Sequence, residues 1–500
     1  MKKYIFILLT GLTFGVTQAQ EIGDAVRYSQ DNLNGTARFR AMGGAFGALG
    51  GDMSAINVNP AGSAVFSNNQ IAATVSNFDA KNNSNYFGTL TTQKDNSFDL
   101  NQAGGVFVFK NQNTNSNWKK FSVAINYENT NNFDNSLYSA GVNPTNSIDG
   151  YFLAYANGVP LDILQNSNYS DLNHGAQQAF LGYQAYIINP VDNNAANTLY
   201  TSNVPAGGNY YQENHITKNG FNGKLSFNAA TSYKDKLFLG INLNSHFTDY
   251  YQSSGFYEDN NAPLTSDYTI SRLRFNNDLY TYGTGFSFQA GAIAKVTNEF
   301  RLGLSYESPT WLKLSDEFSQ KIVAVSANTV EELPSDVVDP QVTNYYSPYK
   351  LQTPSKWTFS TAYIFGKTGL ISIDYAVKEY SNTKFKPEND SYFQGLNSQM
   401  NATLASTSEL RIGAEYKIEA LSLRAGYRHD QSPYKNSSTM GDLTSYSGGL
   451  GYNFGSTKVD LSYSYAKRDS KEGFFAQGFT DGAQINTKNN NVSLTLLFEL

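Results

Sequence analysis

From about Gln70 to Leu500 the chain alternates apolar and polar residues at period two, the spacing of a strand whose two faces meet different surroundings. Phe121, Val123, Ile125 and Tyr127 alternate with Ser122, Ala124, Asn126 and Glu128. Leu237, Leu239, Ile241 and Leu243 alternate with Gly240, Asn242 and Asn244, and Val459, Leu461, Tyr463 and Tyr465 with Lys458, Asp460, Ser462 and Ser464. The pattern predicts strands near 69–80, 98–110, 118–130, 220–233, 237–251, 279–296, 299–318, 349–365, 369–383, 404–417, 420–430, 442–454, 457–468 and 486–500. Short turns such as Lys234-Asp235-Lys236, Gly366-Lys367-Thr368, Ile418-Glu419 and Gly455-Ser456 join some of them. Long polar stretches join others: 131–219, 252–277, 319–347, 384–403 and 469–485. About fourteen strands, an even number, with short and long connections in turn, predict an all-β fold: a transmembrane antiparallel β-barrel with short turns in the periplasm and long loops outside. The last strand is apolar at Val492, Leu494, Leu496, Phe498 and Leu500, as a closing strand facing lipid would be.

Composition strengthens this reading. Tyr 35 and Phe 33 coexist with only 16% charged residues, which half-lipid, half-water strands produce. No stretch of about 20 apolar residues exists to span a membrane as a helix. Cysteine is absent, which excludes a disulfide scaffold, a thiolate metal site and a cysteine nucleophile. The formal charge of −6, without a basic stripe, gives no reason to expect nucleic acid.

Two segments depart from period two. Met1–Ala19 has Lys2 and Lys3, a short apolar run and Thr17-Gln18-Ala19, the layout of a secretory signal. Arg38–Phe66 is too rich in Gly and Ala to form a core and too apolar for a linker. Gly43 and Gly44 permit positive φ and close approach, and Pro60 forces Asn59 out of helical conformation in a tight Asn59-Pro60-Ala61-Gly62 turn. Such a stretch suits a plug inside a shell. The expected division is 1–19 signal, 20–67 plug or hatch, and 68–500 barrel.

One long loop carries a helical signal: Ala176, Ala179, Phe180, Tyr183 and Ile187 share one face. Phe180 and Tyr183 are candidates to touch an oily ligand at the mouth, or to pack on the rim. With Leu410, Ile412, Leu421 and Leu423 outward, Glu409, Arg411, Glu415, Arg424 and Arg428 point inward. A two-residue Ile418-Glu419 turn sets Glu409 opposite Arg428 and Gly413 opposite Arg424. Arg411 and Arg424 are candidates to hold a ligand carboxylate, or to balance Glu409 and Glu415 and anchor the plug.

The motif Asn59-Pro60-Ala61-Gly62, preceded by Arg38-Phe39-Arg40-Ala41-Met42-Gly43-Gly44-Ala45 and followed by a barrel, resembles the FadL/TodX family of outer-membrane transporters for long-chain fatty acids and aromatic hydrocarbons. The resemblance implies passive uptake of a hydrophobic small molecule and residence in outer-membrane lipid; we expect a monomer. It makes Gly43, Gly44, Asn59, Pro60, Ala61 and Gly62 part of a gate. It also implies lateral release through the wall beside a kink in the third strand. That strand, Trp118–Thr130, has neither Gly nor Pro, so a kink there requires a bulge, for which Asn126 is the candidate.

Other classes leave less trace. A haem receptor would use His174, His215, His246 or His429, each isolated in sequence. A membrane-barrel enzyme would need a Ser-His pair or a metal motif, and no G-x-S-x-G or H-E-x-x-H occurs. No catalytic residue, metal or cofactor is expected. An adhesive or structural barrel is the remaining alternative.

Overall fold

The computed structural model describes residues 20–500; the expected signal segment, 1–19, lies outside them. Fourteen antiparallel strands form the wall: β1 Gln70–Tyr86, β2 Thr89–Lys110, β3 Trp118–Asn132 continued by Asn135–Asn143, β4 Tyr210–Tyr233, β5 Leu237–Asn260, β6 Thr269–Lys295, β7 Phe300–Glu307 continued by Trp311–Ala327, β8 Lys356–Phe365, β9 Gly369–Glu379, β10 Ser406–Ile418, β11 Leu421–Asp430, β12 Leu443–Asn453, β13 Thr457–Gly473 and β14 Gly482–Glu499. Pairing of β1 with β14, from Gln70↔Glu499 to Asn85↔Gln484, closes the barrel. Closure removes both sheet edges, as spanning a bilayer requires.

The alternation sorts side chains as expected. Ser122, Asn126 and Glu128 are buried in the lumen, while Phe107, Ile125, Phe227, Ile241, Phe359, Leu450 and Leu494 stand exposed on the outer face. That apolar belt, with Trp118, Tyr416 and Tyr452 exposed towards the short-turn end, is the surface that meets lipid.

Several strands run further than the apolar pattern predicts. A strand of about ten residues crosses the hydrocarbon, yet β4 and β5 have 24 residues each and β6 has 27. The two ends of the expected loop 131–219 and most of 252–277 are therefore paired strand, and β1 and β2 meet at a tight Phe87-Gly88 turn. Beyond the membrane both faces are wet, so the apolar alternation vanishes while the backbone ladder continues. The remaining long connections hold helices: α3 Asp149–Ala156, α4 Leu161–Asn166, α5 His174–Gln184 and α6 Ser391–Thr403. Of these, α5 matches the helical spacing read in the sequence; α3 and α6 were not expected.

The β10–β11 register is a correction. Glu419 adopts φ +52, so the turn is Glu419-Ala420 and Ile418 pairs with Leu421. Every partner moves by two residues: Glu415 faces Arg424, Gly413 faces Gly426 and Arg411 faces Arg428. Because two is the side-chain period, the inward set is unchanged.

Residues before β1 fill the lumen with α1 Ile22–Ser29, α2 Ala37–Ala41 and two 3₁₀ turns, Ser54–Asn57 and Pro60–Val65. Thr36 caps α2, accepting from Phe39 N at 3.2 Å. Asn59 caps the second turn, accepting from Ala61 N at 3.1 Å, with Pro60 in the first helical position, where its missing N–H costs nothing.

Candidate functional site in the lumen

The inserted segment is held on every side. Gly43 and Gly44 have φ of +62° and +77° and turn the chain after α2. The amides of Phe46 and Gly47 both donate to Asp374 Oδ2 at 2.9 Å. Asn59 donates to the Gly47 carbonyl at 2.7 Å and to Ala292 O at 3.0 Å, tying the two halves of the segment to the wall. Wall amides satisfy the 3₁₀ carbonyls: Asn228 donates to Pro60 O at 2.9 Å, Asn242 to Ile56 O at 2.9 Å and Gln289 to Asn57 O at 3.0 Å.

Wall glycines make room for this contact. A Cβ at Gly240 would lie 2.4 Å from Pro60 C, at Gly303 2.3 Å from Gly47 O, at Gly413 2.5 Å from Met42 O, and at Gly426 2.2 Å from Gly43 N. Gly413 stood out in the sequence as a gap opposite Arg424; the other three were missed. Their signal was present: each is a glycine at a lumen-facing position of a strand.

A charged layer lies alongside. Glu415 accepts from Arg38 at 2.8 Å and from Arg424 at 2.7 Å, and Arg424 also reaches Asp460 at 2.5 Å. Arg411 pairs with Glu409 at 2.5 Å, and Arg428 with Asp430 at 2.6 Å. Lys356 and Lys378 clamp Asp31 at 2.9 and 3.3 Å. Both arginines considered for a ligand carboxylate are thus occupied by wall carboxylates.

Above the inserted segment lies a cavity of about 670 Å³, in the range of small-molecule sites. Tyr151 and Tyr155 of α3 and His174 of α5 roof it, Phe256, Phe318, Phe474 and Phe475 line its sides, and Glu21, Asp24 and Arg27 of the α1 region lie at its base. Arg27 is fixed by Asp24 at 2.7 Å and lies 4.0 Å over the Tyr250 ring. Burial pulls His174 down to about 4, leaving it a neutral member of an aromatic roof. Phe180 and Tyr183 sit on α5 away from this cavity: Phe180 packs on Tyr169, ring centroids 5.8 Å apart, and Tyr183 Oη accepts from Gln165 Nε2 at 3.0 Å.

The cavity also reaches Asn131, Asn132, Phe133, Asp134 and Asn135, where the wall is incomplete. The β2–β3 ladder runs from Lys110↔Lys120 to Gln102↔Glu128 and stops. Beyond it β2 pairs with β1 and β3 with β4, leaving a seam between them. Side chains bridge the seam: Asn132 donates to Ser97 Oγ at 2.9 Å and also to Asp99, and Ser136 N and Oγ donate to Asp95 at 2.6 and 2.9 Å. No bulge forms at Asn126, which stays in register with Gly104 and Ser226. Register shifts fall instead at Lys119 and Thr130, and β3 breaks at Phe133-Asp134. Asn126 is pinned because its side chain donates to Met53 O and Glu128 and accepts from Gln102.

The four histidines stand apart on α5, β4, β5 and β11, and no cluster of three or more potential metal ligands exists among the described residues. A family model described as outer membrane protein transport protein (OMPP1/FadL/TodX) matches residues 184–496. The chain belongs to this family. It is an outer-membrane transporter of hydrophobic compounds, and nothing supports the haem alternative. The match begins at Gln184, so it rests on the barrel rather than on the plug motif. A FadL homologue from Pseudomonas aeruginosa shares the fold at a TM-score of 0.55 and 14% identity, with 94% of this chain and 99% of that chain covered. The toluene transporter TodX from Pseudomonas putida does so at 0.51 and 13%, with 94% and 100% covered. No curated protein matches the chain.

Proposed function

We propose that this protein passes long-chain fatty acids or similar hydrophobic molecules inward, passively, by entry under the α3–α5 cap and exit through the β2–β3 seam. The observation that carries this reading is continuity: the aromatic cavity extends to the strand break at Phe133-Asp134 beside the unpaired stretch of wall. Below it, residues 20–67 act as the plug, with Gly43, Gly44, Asn59, Pro60, Ala61 and Gly62 as its fixed turns. A molecule in the cavity therefore has a shorter way out through the seam than through the plug. We assign Arg411 and Arg424 to anchoring that plug, and Phe180 and Tyr183 to holding the cap. A ligand chain buried in the cavity gains about 0.8 kcal/mol per methylene, so chain length dominates affinity. One barrel contains every part of this route, so a monomer suffices, and no step requires bond making.

The test is uptake of a labelled series of acids, alcohols and aromatic hydrocarbons, the last because TodX is a toluene transporter, in cells lacking the protein and in restored cells. Uptake should rise with the protein and with chain length. Unchanged uptake, or dependence of haem but not acyl chains on the protein, contradicts the reading.

A further inference from the structure

Four lysines stand side by side on the outer face of the barrel. Lys467 of β13 is directly opposite Lys488 of β14, Lys488 is opposite Lys81 of β1, and Lys81 is opposite Lys94 of β2. Direct partners share a face, and alternation makes this the lipid-facing one. Lys467 is in step with Leu461 and Tyr463, Lys488 with Val492 and Leu494, Lys81 with Ile71, and Lys94 with Phe98 and Leu100, all exposed. With strands about 4.8 Å apart, the row is roughly 14 Å long. Like charges directly opposite destabilise a ladder, and here they meet in three successive pairs. Among the described residues Lys81, Lys94 and Lys488 form no ion pair, and Lys467 reaches Asp469 at 3.7 Å. Asp79, the nearest acid on this face of β1, is engaged by the Asn490 amide at 3.3 Å.

The row also marks a level. Going outward from the short-turn end, this face of β14 shows Phe498, Leu496, Leu494 and Val492, then Asn490, then Lys488. On β13 it shows Val459, Leu461, Tyr463 and Tyr465, then Lys467. Beyond the lysines the next row is polar: Asp469, Asn486, Asn83 and Thr92. The lysines therefore sit at the outer edge of the apolar belt, just past its tyrosines. There hydrocarbon gives way to head groups, on the long-loop side that faces out of the cell. The outer leaflet of an outer membrane is built from phosphorylated glycolipid, and anionic head groups attract clustered lysines at this level.

We propose that this face holds a phosphorylated glycolipid of the outer leaflet. Its phosphates lie on Lys467, Lys488, Lys81 and Lys94, and its acyl chains lie over Val492, Leu494, Phe98 and Leu100. A bound phosphate offsets the repulsion that the row builds in, and lysine ammonium groups are phosphate binders. The occupant is a lipid rather than a soluble anion because the apolar belt continues directly below the charges. This surface is separate from the aromatic cavity, so it stands whether or not that cavity carries the transported molecule.

The test uses the full barrel in detergent and native mass spectrometry with three probes: lipid A, lipid A stripped of its phosphates, and inorganic phosphate as competitor. The parent should bind phosphorylated lipid A about tenfold or more tighter than the stripped form. Lys81→Gln combined with Lys488→Gln should lose most of that preference. The unliganded double variant should be at least as heat-stable as the parent, because a like-charge pair is gone, so lost binding is distinguished from lost fold. Lys234→Gln combined with Lys236→Gln removes the same charge at the opposite rim and should bind as the parent does. Equal binding of both lipids by the parent, or equal losses in the two double variants, overturns the proposal. Displacement of the lipid by inorganic phosphate at millimolar concentration marks an adventitious anion site only, which also overturns it.

Discussion

Gly291 passes so close to Asn59 that a Cβ on it would lie 2.0 Å from Asn59 Oδ1. The same Oδ1 caps the Pro60–Val65 turn through Ala61 N, so the wall touches the plug at its tightest bend. A strand glycine, ordinarily a weakness, is here the seat for another backbone. Gly291→Ala should push the cap aside at an overpacking cost of about 1–3 kcal/mol. The barrel, closed by its own ladders, should remain folded. The expected result is an electrophoretically folded barrel with severalfold faster entry of large antibiotics into whole cells. Parental leakage in a folded Gly291→Ala protein contradicts a gating role for this contact.

Glu415 joins the plug to the wall by accepting from Arg38 and Arg424 together. Glu415→Gln leaves Arg38 without a carboxylate partner and Arg424 with Asp460 alone. Breaking a buried pair in this way costs about 3–5 kcal/mol. Denaturant unfolding of the purified protein should show a loss of that order, and residues 38–66 should become open to protease first. A loss under about 1 kcal/mol would mean the pair is as dispensable as a surface ion pair.

The cap carries a pH dependence set by His174. Its folded value is depressed by burial from 6.5 to about 4, so the folded cap binds fewer protons than the unfolded loop. Its stabilising effect is present above about 6.5 and is lost as pH falls towards 4, by roughly 3 kcal/mol over that window. Protease resistance of residues 144–209 should hold from pH 8 to about 6.5 and decline towards pH 4, and His174→Gln should flatten the profile. Titration of His174 at or above 6.5 contradicts its burial in the roof.

Much of this was legible in the sequence, and the limits have physical causes. Period two marks a strand only where one face meets lipid, so Phe121–Tyr127 and Val492–Leu500 were readable while Asn135–Asn143 and Tyr210–Asn219 were not. Inward parity at Arg411 and Arg424 survived a two-residue register error because parity is all that alternation encodes. The turn was misplaced because nothing in Ile418-Glu419-Ala420 signals that Glu419 takes positive φ. The plug stood out as a Gly-rich segment, yet its seats at Gly240, Gly291, Gly303 and Gly426 looked like ordinary weak positions in strands. The seam was invisible because it is a missing ladder between two good strands rather than a kink residue within one.

The most direct test is to close that seam. The chain has no cysteine, so Ser97→Cys with Asn132→Cys puts a single pair across β2 and β3 where Asn132 now donates to Ser97 at 2.9 Å. In oxidised cells uptake of a labelled long-chain acid should fall to the level of cells lacking the protein. It should recover on reduction, with the barrel folded in both states. Full uptake through a barrel shown by mass to be cross-linked would contradict lateral release and place the route elsewhere.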